Sequence, residues 1–275
     1  MSAQQQPPLL RHDTEAPPAL TASGLMDSVR ELRGSGPFRP PEICVLEFDG
    51  DLTDWLVAQG RAVQLSGWPC FHTKMYVVDC EGVPVGIVDR TIGGPYAVLV
   101  AEQLQAAGAR LIVGLTSAGR VSSELPLPCL VVATSAIRDE GTSFHYLPPG
   151  ESVDAPAQIA GHFAEALRAT RWPVRTGCVW TTDAPYRETE GAILFWRSRG
   201  VLAVEMQAAS LFAFGAARQA AVAVVARVSN AIDHTGEQFD TGTEEDGWQA
   251  LLAIARAGAA YLDAGAALPG RELHD

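Results

Sequence analysis

Glu205 and Gln207 are the side chains of this chain whose type and setting most invite chemistry. They lie in Val204-Glu205-Met206-Gln207-Ala208-Ala209-Ser210-Leu211-Phe212, where a short apolar strand pattern, Val201 to Val204, meets a helical one. Ala208, Ala209, Leu211, Phe212 and Ala213 supply the i, i+3, i+4 face of a buried helix. The pair therefore sits where strand becomes helix, at the carboxyl end of a strand, the place where open α/β folds bind ligands. Two neighbouring oxygen acceptors there suit a vicinal diol such as that of a ribose. The same Glu also suits the first turn of a helix through the helix dipole alone.

Two further segments bear on that choice. Arg90-Thr91-Ile92-Gly93-Gly94-Pro95 places a glycine turn before a helix, so backbone N–H groups at Gly93 and Gly94 face outward as an anion site. Thr181-Thr182-Asp183-Ala184-Pro185-Tyr186-Arg187-Glu188-Thr189 precedes the Glu205 segment by one helix. Together with V-E-M-Q-A-A-S-L-F it resembles the paired signatures of the nucleoside phosphorylase family. The glycine turn looks like that of uridine phosphorylases, and Arg138-Asp139-Glu140-Gly141-Thr142-Ser143-Phe144-His145-Tyr146 resembles a segment of uridine phosphorylase-like members. Order and spacing agree from about residue 40 to 240.

The resemblance implies cleavage of the N-glycosidic bond of a purine or pyrimidine nucleoside, with phosphate as co-substrate and no cofactor. Glu205, Met206 and Gln207 match the ribose-binding E-M-E motif, in which the Met packs under the sugar and the last Glu, here Gln207, binds its hydroxyls. Glu205 and Asn230 stand at the catalytic positions, Asn230 replacing the Asp that protonates a purine. Trp180, Thr181, Thr182, Asp183 and Tyr186 fall in the base-binding stretch, where the stacking Phe is replaced by Pro185, and Asp233 is a substitute acid. Gly93, Gly94, Thr116, Ser117, Arg90 and Arg138 are the phosphate-binding candidates, with Lys74 a further cation. Arg138 also suits a partly buried ion pair that merely holds its loop.

Three arginines of the family's phosphate site are absent. Gly114 stands in place of one, Phe48-Asp49-Gly50-Asp51-Leu52 brings carboxylates where another is expected, and Phe71 takes the third. Guanidinium groups grip phosphate with charge-assisted, bidentate hydrogen bonds that no glycine or carboxylate replaces. A nucleoside hydrolase of the same fold and a non-catalytic nucleoside-binding homologue therefore stand beside the phosphorylase. Family members complete their sites across subunit interfaces, so the resemblance implies a homo-oligomer (a dimer, a trimer of dimers or a hexamer) and a contact from His12 to a neighbour.

The net charge of −12 argues against a nucleic-acid or anionic-membrane surface. Cys44, Cys70, Cys80, Cys129 and Cys178 form no C-x-x-C pair and are expected reduced, in a cytoplasmic protein. No metal site is expected, since the histidines lack ligand spacing. No signal peptide and no span of roughly twenty apolar residues is legible.

The elements that must position these residues follow from periodicity. Residues 1–41, rich in Pro, Gln and charge, form a partly irregular N-terminal arm, and 42–275 a single domain. Strands are expected over Ile43–Phe48, Lys74–Asp79, Val83–Asp89, Leu111–Leu115, Leu130–Thr134, Thr176–Trp180, Val201–Val204 and Ala221–Val228. The second and third of these form a hairpin about Glu81-Gly82. Helices are expected over Pro95–Ala107, with Leu99, Val100, Leu104 and Ala107 as the buried stripe, over Ala157–Thr170, Glu188–Arg199 and Glu244–Leu262, and through the face of Ala208, Ala209, Leu211, Phe212 and Ala213. Strand and helix alternate unevenly, which predicts an α/β/α sandwich about a central mixed sheet rather than a regular barrel.

Overall fold

Short runs of Val, Ile and Leu, too brief for buried helices, become strands covered on both faces. Ile43–Glu47 (β1) is buried at every residue. The computed structural model describes residues 7–36, 38–69, 73–231 and 243–265. Among these, the other strands are Ala62–Gln64 (β2), Met75–Cys80 (β3), Val83–Val88 (β4), Leu111–Arg120 (β5), Cys129–Asp139 (β6), Ser152–Asp154 (β7), Val174–Thr182 (β8), Ala203–Glu205 (β9) and Val222–Ala231 (β10). The helices are Ala22–Arg33 (α1), Asp51–Ala58 (α2), Gly94–Ala106 (α3), Ala157–Leu167 (α4), Glu190–Ser198 (α5), Ala208–Arg218 (α6) and Glu244–Asp263 (α7).

All the strands join one mixed sheet. β1 runs parallel to β4 and β5, and β3 and β4 form the expected hairpin. β5 is also parallel to β10, which is antiparallel to β6. β6 and β8 are parallel, as are β8 and β9, and β9 returns antiparallel to β5. The sheet thus curls until part of it closes. Register shifts at Val228/Asn230 and Ala133/Ser135 supply the extra twist that such a curl needs.

Alternation along β5 divides the core. Ile112 joins α3 and α6 on one face through Leu104, Phe212 and Phe214, while Leu111 and Val113 join α2, α4 and α7 on the other through Leu56, Phe163 and Ile254. This is the α/β/α arrangement anticipated from the sequence.

Some elements differ from expectation. Residues 22–33, inside the arm, form a helix: Thr21 caps it by accepting the Gly24 N–H at 3.1 Å, Gly34 ends it at φ 60°, and Met26 and Val29 are buried. α2 was not anticipated either; it starts at Gly50, with φ 97°, and carries Asp51 and Asp54 in its first turn. Leu99 is 46% exposed and Val98 takes its place in the buried face of α3. β5 and β6 run on past their apolar stretches into polar residues, and those extensions carry the site.

Candidate active site

The sheet register gathers the carboxyl ends of five strands. Gly119 of β5 pairs with Val204 of β9 on one side and with Asn230 of β10 on the other. Glu205, one residue beyond Val204, pairs with Thr181 of β8. β1 lies against the start of the same strand, with Glu47 opposite Leu115, and just past its end Asp49 accepts a hydrogen bond from Ser117 Oγ at 3.0 Å. Glu205, Thr181, Ser117 and Asn230 are therefore brought to one region by backbone pairing alone.

Glu205 is buried, and its carboxylate closes over the start of α6. Oε2 accepts the Gln207 and Ala208 N–H groups at 2.5 and 2.8 Å, and Oε1 accepts Thr181 Oγ1 at 2.5 Å. Thr181 Oγ1 in turn accepts the Ala209 N–H at 2.9 Å. Helix dipole and hydrogen bonds favour the charged form here, yet burial outweighs them and pushes the Glu205 carboxyl up to about 7. Gln207 has no solvent exposure. Its amide nitrogen donates to the Thr91 carbonyl, and its Oε1 has no donor among the described residues. Met206, half-buried, is the member of the trio with free surface.

Gly114 leaves no room for the family arginine. A Cβ there would lie 3.0 Å from Leu211 Cδ1 and 3.3 Å from Gln207 Oε1. Arg138 is buried and turned inward. Its Nε donates to Ser143 Oγ at 2.8 Å, and its terminal nitrogens donate to the carbonyls of Pro148 and Leu147 at 2.7 and 3.1 Å. It clamps its own loop through hydrogen bonds, not the ion pair considered from sequence. Arg90, exposed and at φ 54°, is paired with Asp54 and Asp89. Thr116 is buried and donates to the Ser117 carbonyl at 3.0 Å.

Gly93, at φ 81°, is the N-cap of α3 and brings no side-chain cap to that terminus. Gly94 is required by packing, because a Cβ there would lie 2.1 Å from Ser210 Oγ.

The base-binding candidates separate. Trp180 is buried among Val121, Ile137, Val201 and Val204, with Nε1 donating to Asp139 at 2.9 Å, so its ring is core and not a stacking platform. Thr182 is buried and accepts the Ala184 N–H at 3.2 Å. Asp183, exposed, accepts the Gly141 N–H at 2.8 Å, and partial desolvation raises its pKa from the ordinary aspartate value. Tyr186 is fully exposed. His12 stacks on His145 of its own chain, ring centroids 3.8 Å apart. Phe71 and Asp233 lie outside the described residues.

Buried carboxylates recur at these strand ends. Glu47 accepts the Gly50, Leu52 and Thr53 N–H groups at 3.0–3.1 Å, and Glu140 accepts Ser210 Oγ at 2.5 Å and the Ser143 N–H. Thr91, fully buried, donates through both N–H and Oγ1 to the Glu47 carbonyl at 3.1 Å and so links β1 to Gln207. Glu47, Glu140, Thr91 and Ser210 were not singled out from sequence. For Glu47 the signal was present in the carboxylate that ends its apolar run, as Glu205 does. A cavity of about 30 Å³ bounded by Glu47, Asp49, Asp51, Thr116, Ser117 and Arg227 lies beside β1 and β5. Among the described residues no three His, Cys, Asp or Glu side chains are grouped to hold a metal.

A family model described as the phosphorylase superfamily matches residues 42–264. The chain belongs to the phosphorylase superfamily. It is 28% identical over 162 residues to a guanosine phosphorylase of Halorubrum lacusprofundi, a match covering 58% of this chain and 61% of that protein. It is 23% identical over 201 residues to the uridine phosphorylase of Escherichia coli, covering 68% and 79%. With a DeoD-type purine nucleoside phosphorylase of Myxococcus xanthus it shares 28% over 178 residues, covering 64% and 74%. This superfamily member places carboxylates and glycine where the resemblance led to arginines. Among the described residues no helix is long and apolar enough to cross a membrane.

Proposed function

We propose that this chain is an enzyme that cleaves the N-glycosidic bond of a nucleoside and passes the sugar to water. One observation carries the choice of acceptor: where β1 and β5 end, the charged groups about the small cavity are the carboxylates Glu47, Asp49 and Asp51, with Arg227 as cation. Such a cavity holds a water molecule, and its carboxylates repel an anion such as phosphate. Asp49, exposed and held by Ser117, is the base assigned to that water, and partial desolvation raises its pKa from the ordinary aspartate value.

The sugar is assigned to Met206, the half-buried member of the trio, while Gln207, without solvent exposure, ties the segment to the Thr91 carbonyl. Glu205 positions that segment through the first turn of α6 and is not itself in contact with solvent. Asp183 and Asn230 are the groups assigned to the departing base. A homo-oligomer belongs to the same reading, supported by α5, which buries none of its residues and exposes Leu194 and Phe195.

Phosphorolysis is the second reading. It is favoured by the relatives, named as phosphorylases, and by the uncapped start of α3 at Gly93 and Gly94. The two readings separate when free base is measured from a panel of purine and pyrimidine nucleosides with and without phosphate. Release that is indifferent to phosphate, yields free pentose and falls about 100-fold or more in Asp49→Asn is the expected result. Strict dependence on phosphate would replace water as the acceptor, and no release from any nucleoside would sink the enzymatic reading.

A further inference from the structure

The apolar faces of β1, β5 and β10 turn polar at the same level of the sheet. Val45, Leu115 and Val225 lie in the core under α2, α4 and α7. Alternation therefore places Glu47, Ser117 and Arg227, two residues further along each strand, on that same face. The register sets Arg227 opposite Ser117, whose hydroxyl donates to Asp49 at 3.0 Å. Glu47, Asp49, Ser117 and Arg227 all line the small cavity.

The half-buried Arg227 guanidinium is placed without being bonded. A Cβ on Gly247 would lie 3.6 Å from its Nη1, so it packs against the first turn of α7. Its Cζ lies 5.9 Å from the centre of the Trp172 ring. Among the described residues no group accepts a hydrogen bond from it. Other arginines near the site are engaged: Arg138 spends its nitrogens on loop carbonyls, and Arg90 and Arg171 are paired with carboxylates. A cation with no bonded partner acts on its surroundings through its field, which the low-dielectric walls about it strengthen.

That field falls among charges from each neighbouring element. Glu47 ends β1, Asp49 follows it and Asp51 opens α2. Glu244, Glu245 and Asp246 stand in the first turn of α7, Asp246 paired with Arg171. Arg90, packed over Gly50, is paired with Asp54 and Asp89. Glu47 spends its oxygens on the N–H groups of Gly50, Leu52 and Thr53, which leaves Asp49 as the carboxylate able to accept a further proton donor. Desolvation raises the Asp49 carboxyl, while the Ser117 bond and the charge of Arg227 act against that rise and Asp51 adds to it.

We propose that Arg227 is a positioning residue for Asp49: its charge keeps that carboxylate ionised among its acidic neighbours, and so able to take a proton from the water. This rests on the reading of Asp49 as the base of a nucleoside hydrolase, and it names the group that holds the base in its working form.

Carboxyl-carbon NMR titration of the full chain labelled at aspartate, with the Asp49 signal identified by its loss in Asp49→Asn, reads the pair without turnover. The Asp49 midpoint is expected to move to higher pH in Arg227→Gln and to return in Arg227→Lys, which keeps the charge. Arg227→Met, whose stem still packs on Trp172, gives the same reading if the glutamine variant is unstable. Base release followed over pH is expected to move in step. On its acid limb Arg227→Gln falls about threefold or more below the unchanged protein at the same pH, and Arg227→Lys recovers most of the loss. An arginine that merely packs on Trp172 would change the melting temperature and move neither profile, and that result overturns the proposal. So does an Asp49 midpoint that moves while the acid limb stays in place. Base release with a midpoint indifferent to Arg227→Gln removes the role of Arg227 and leaves the hydrolase standing. No base release from the unchanged protein removes the hydrolase, and the role of Arg227 with it.

Discussion

Gly114 shows how one missing side chain is built into its surroundings. The space an arginine would need is taken by Leu211, Val224 and the amide of Gln207, all within 3.4 Å of where a Cβ would stand. Gly114→Arg is therefore expected to destabilise the fold by about 1–3 kcal/mol or more, through overpacking, and to confer no affinity for phosphate. Urea unfolding and a phosphate titration check the two halves of this statement, and a stable variant that binds phosphate would refute it. The same crowding explains why Gln207 is buried. With no guanidinium beside it, the amide turns to the Thr91 carbonyl, and a glutamate in that place would oppose a carbonyl oxygen with a carboxylate. Gln207→Glu should accordingly cost about 1–3 kcal/mol, the penalty of a buried polar group whose partner is lost, read as a fall in the urea midpoint.

Among the elements, the short β9 and the start of α6 depend on one hydroxyl. Thr181 Oγ1 donates to Glu205 and accepts the Ala209 N–H, so it joins the end of β8 to the helix that follows β9. Thr181→Val keeps the shape and removes both bonds, and should destabilise by about 1–3 kcal/mol. Thr182→Val, which loses only the bond from the Ala184 N–H, should cost less. Equal losses in denaturant unfolding would contradict this ranking.

The pattern of residues made much of this level legible. β-branched runs marked the inner strands, Thr243 and Asp246 form the capping box that opens α7 where the sequence placed that helix, and Gly93 marked the turn before α3. α1 was obscured because prolines and glutamines before it dominate the composition of the arm, although Met26 and Val29 carry its buried face. The reach of β5 past Leu115 was hidden because its last residues are polar or small and are held by pairing with β9 and β10, a non-local cause. For the same reason the roles of Arg138 and Trp180 could not be read. Their types suit a site, and only the loop carbonyls and the Trp196 packing around them show that they serve the fold.

Across the whole molecule, burial sets the sign of the pH dependence. Glu205 and Glu188 are each pushed up to about 7, and Glu47 is raised as well, in every case first by desolvation. A carboxyl whose folded pKa exceeds its unfolded value holds a proton in the native state that the unfolded chain releases. Its stabilising contribution is complete below the ordinary carboxylate range and is lost as pH rises toward about 7. Asp246, lowered by Thr243 and Arg171 against the desolvation that opposes them, acts in the opposite sense, and its contribution disappears only on stronger acidification. Repulsion within a chain of net charge −12 adds to the loss on the alkaline side. The melting temperature should therefore fall as pH rises from about 4.5 to about 7. Glu205→Gln removes one of the titrating groups, so its curve should be flatter over that window, by up to about 3 kcal/mol for a shift of this size. Parallel curves for the two proteins would mean that Glu205 is ionised throughout and that the first turn of α6 holds it as a charged cap.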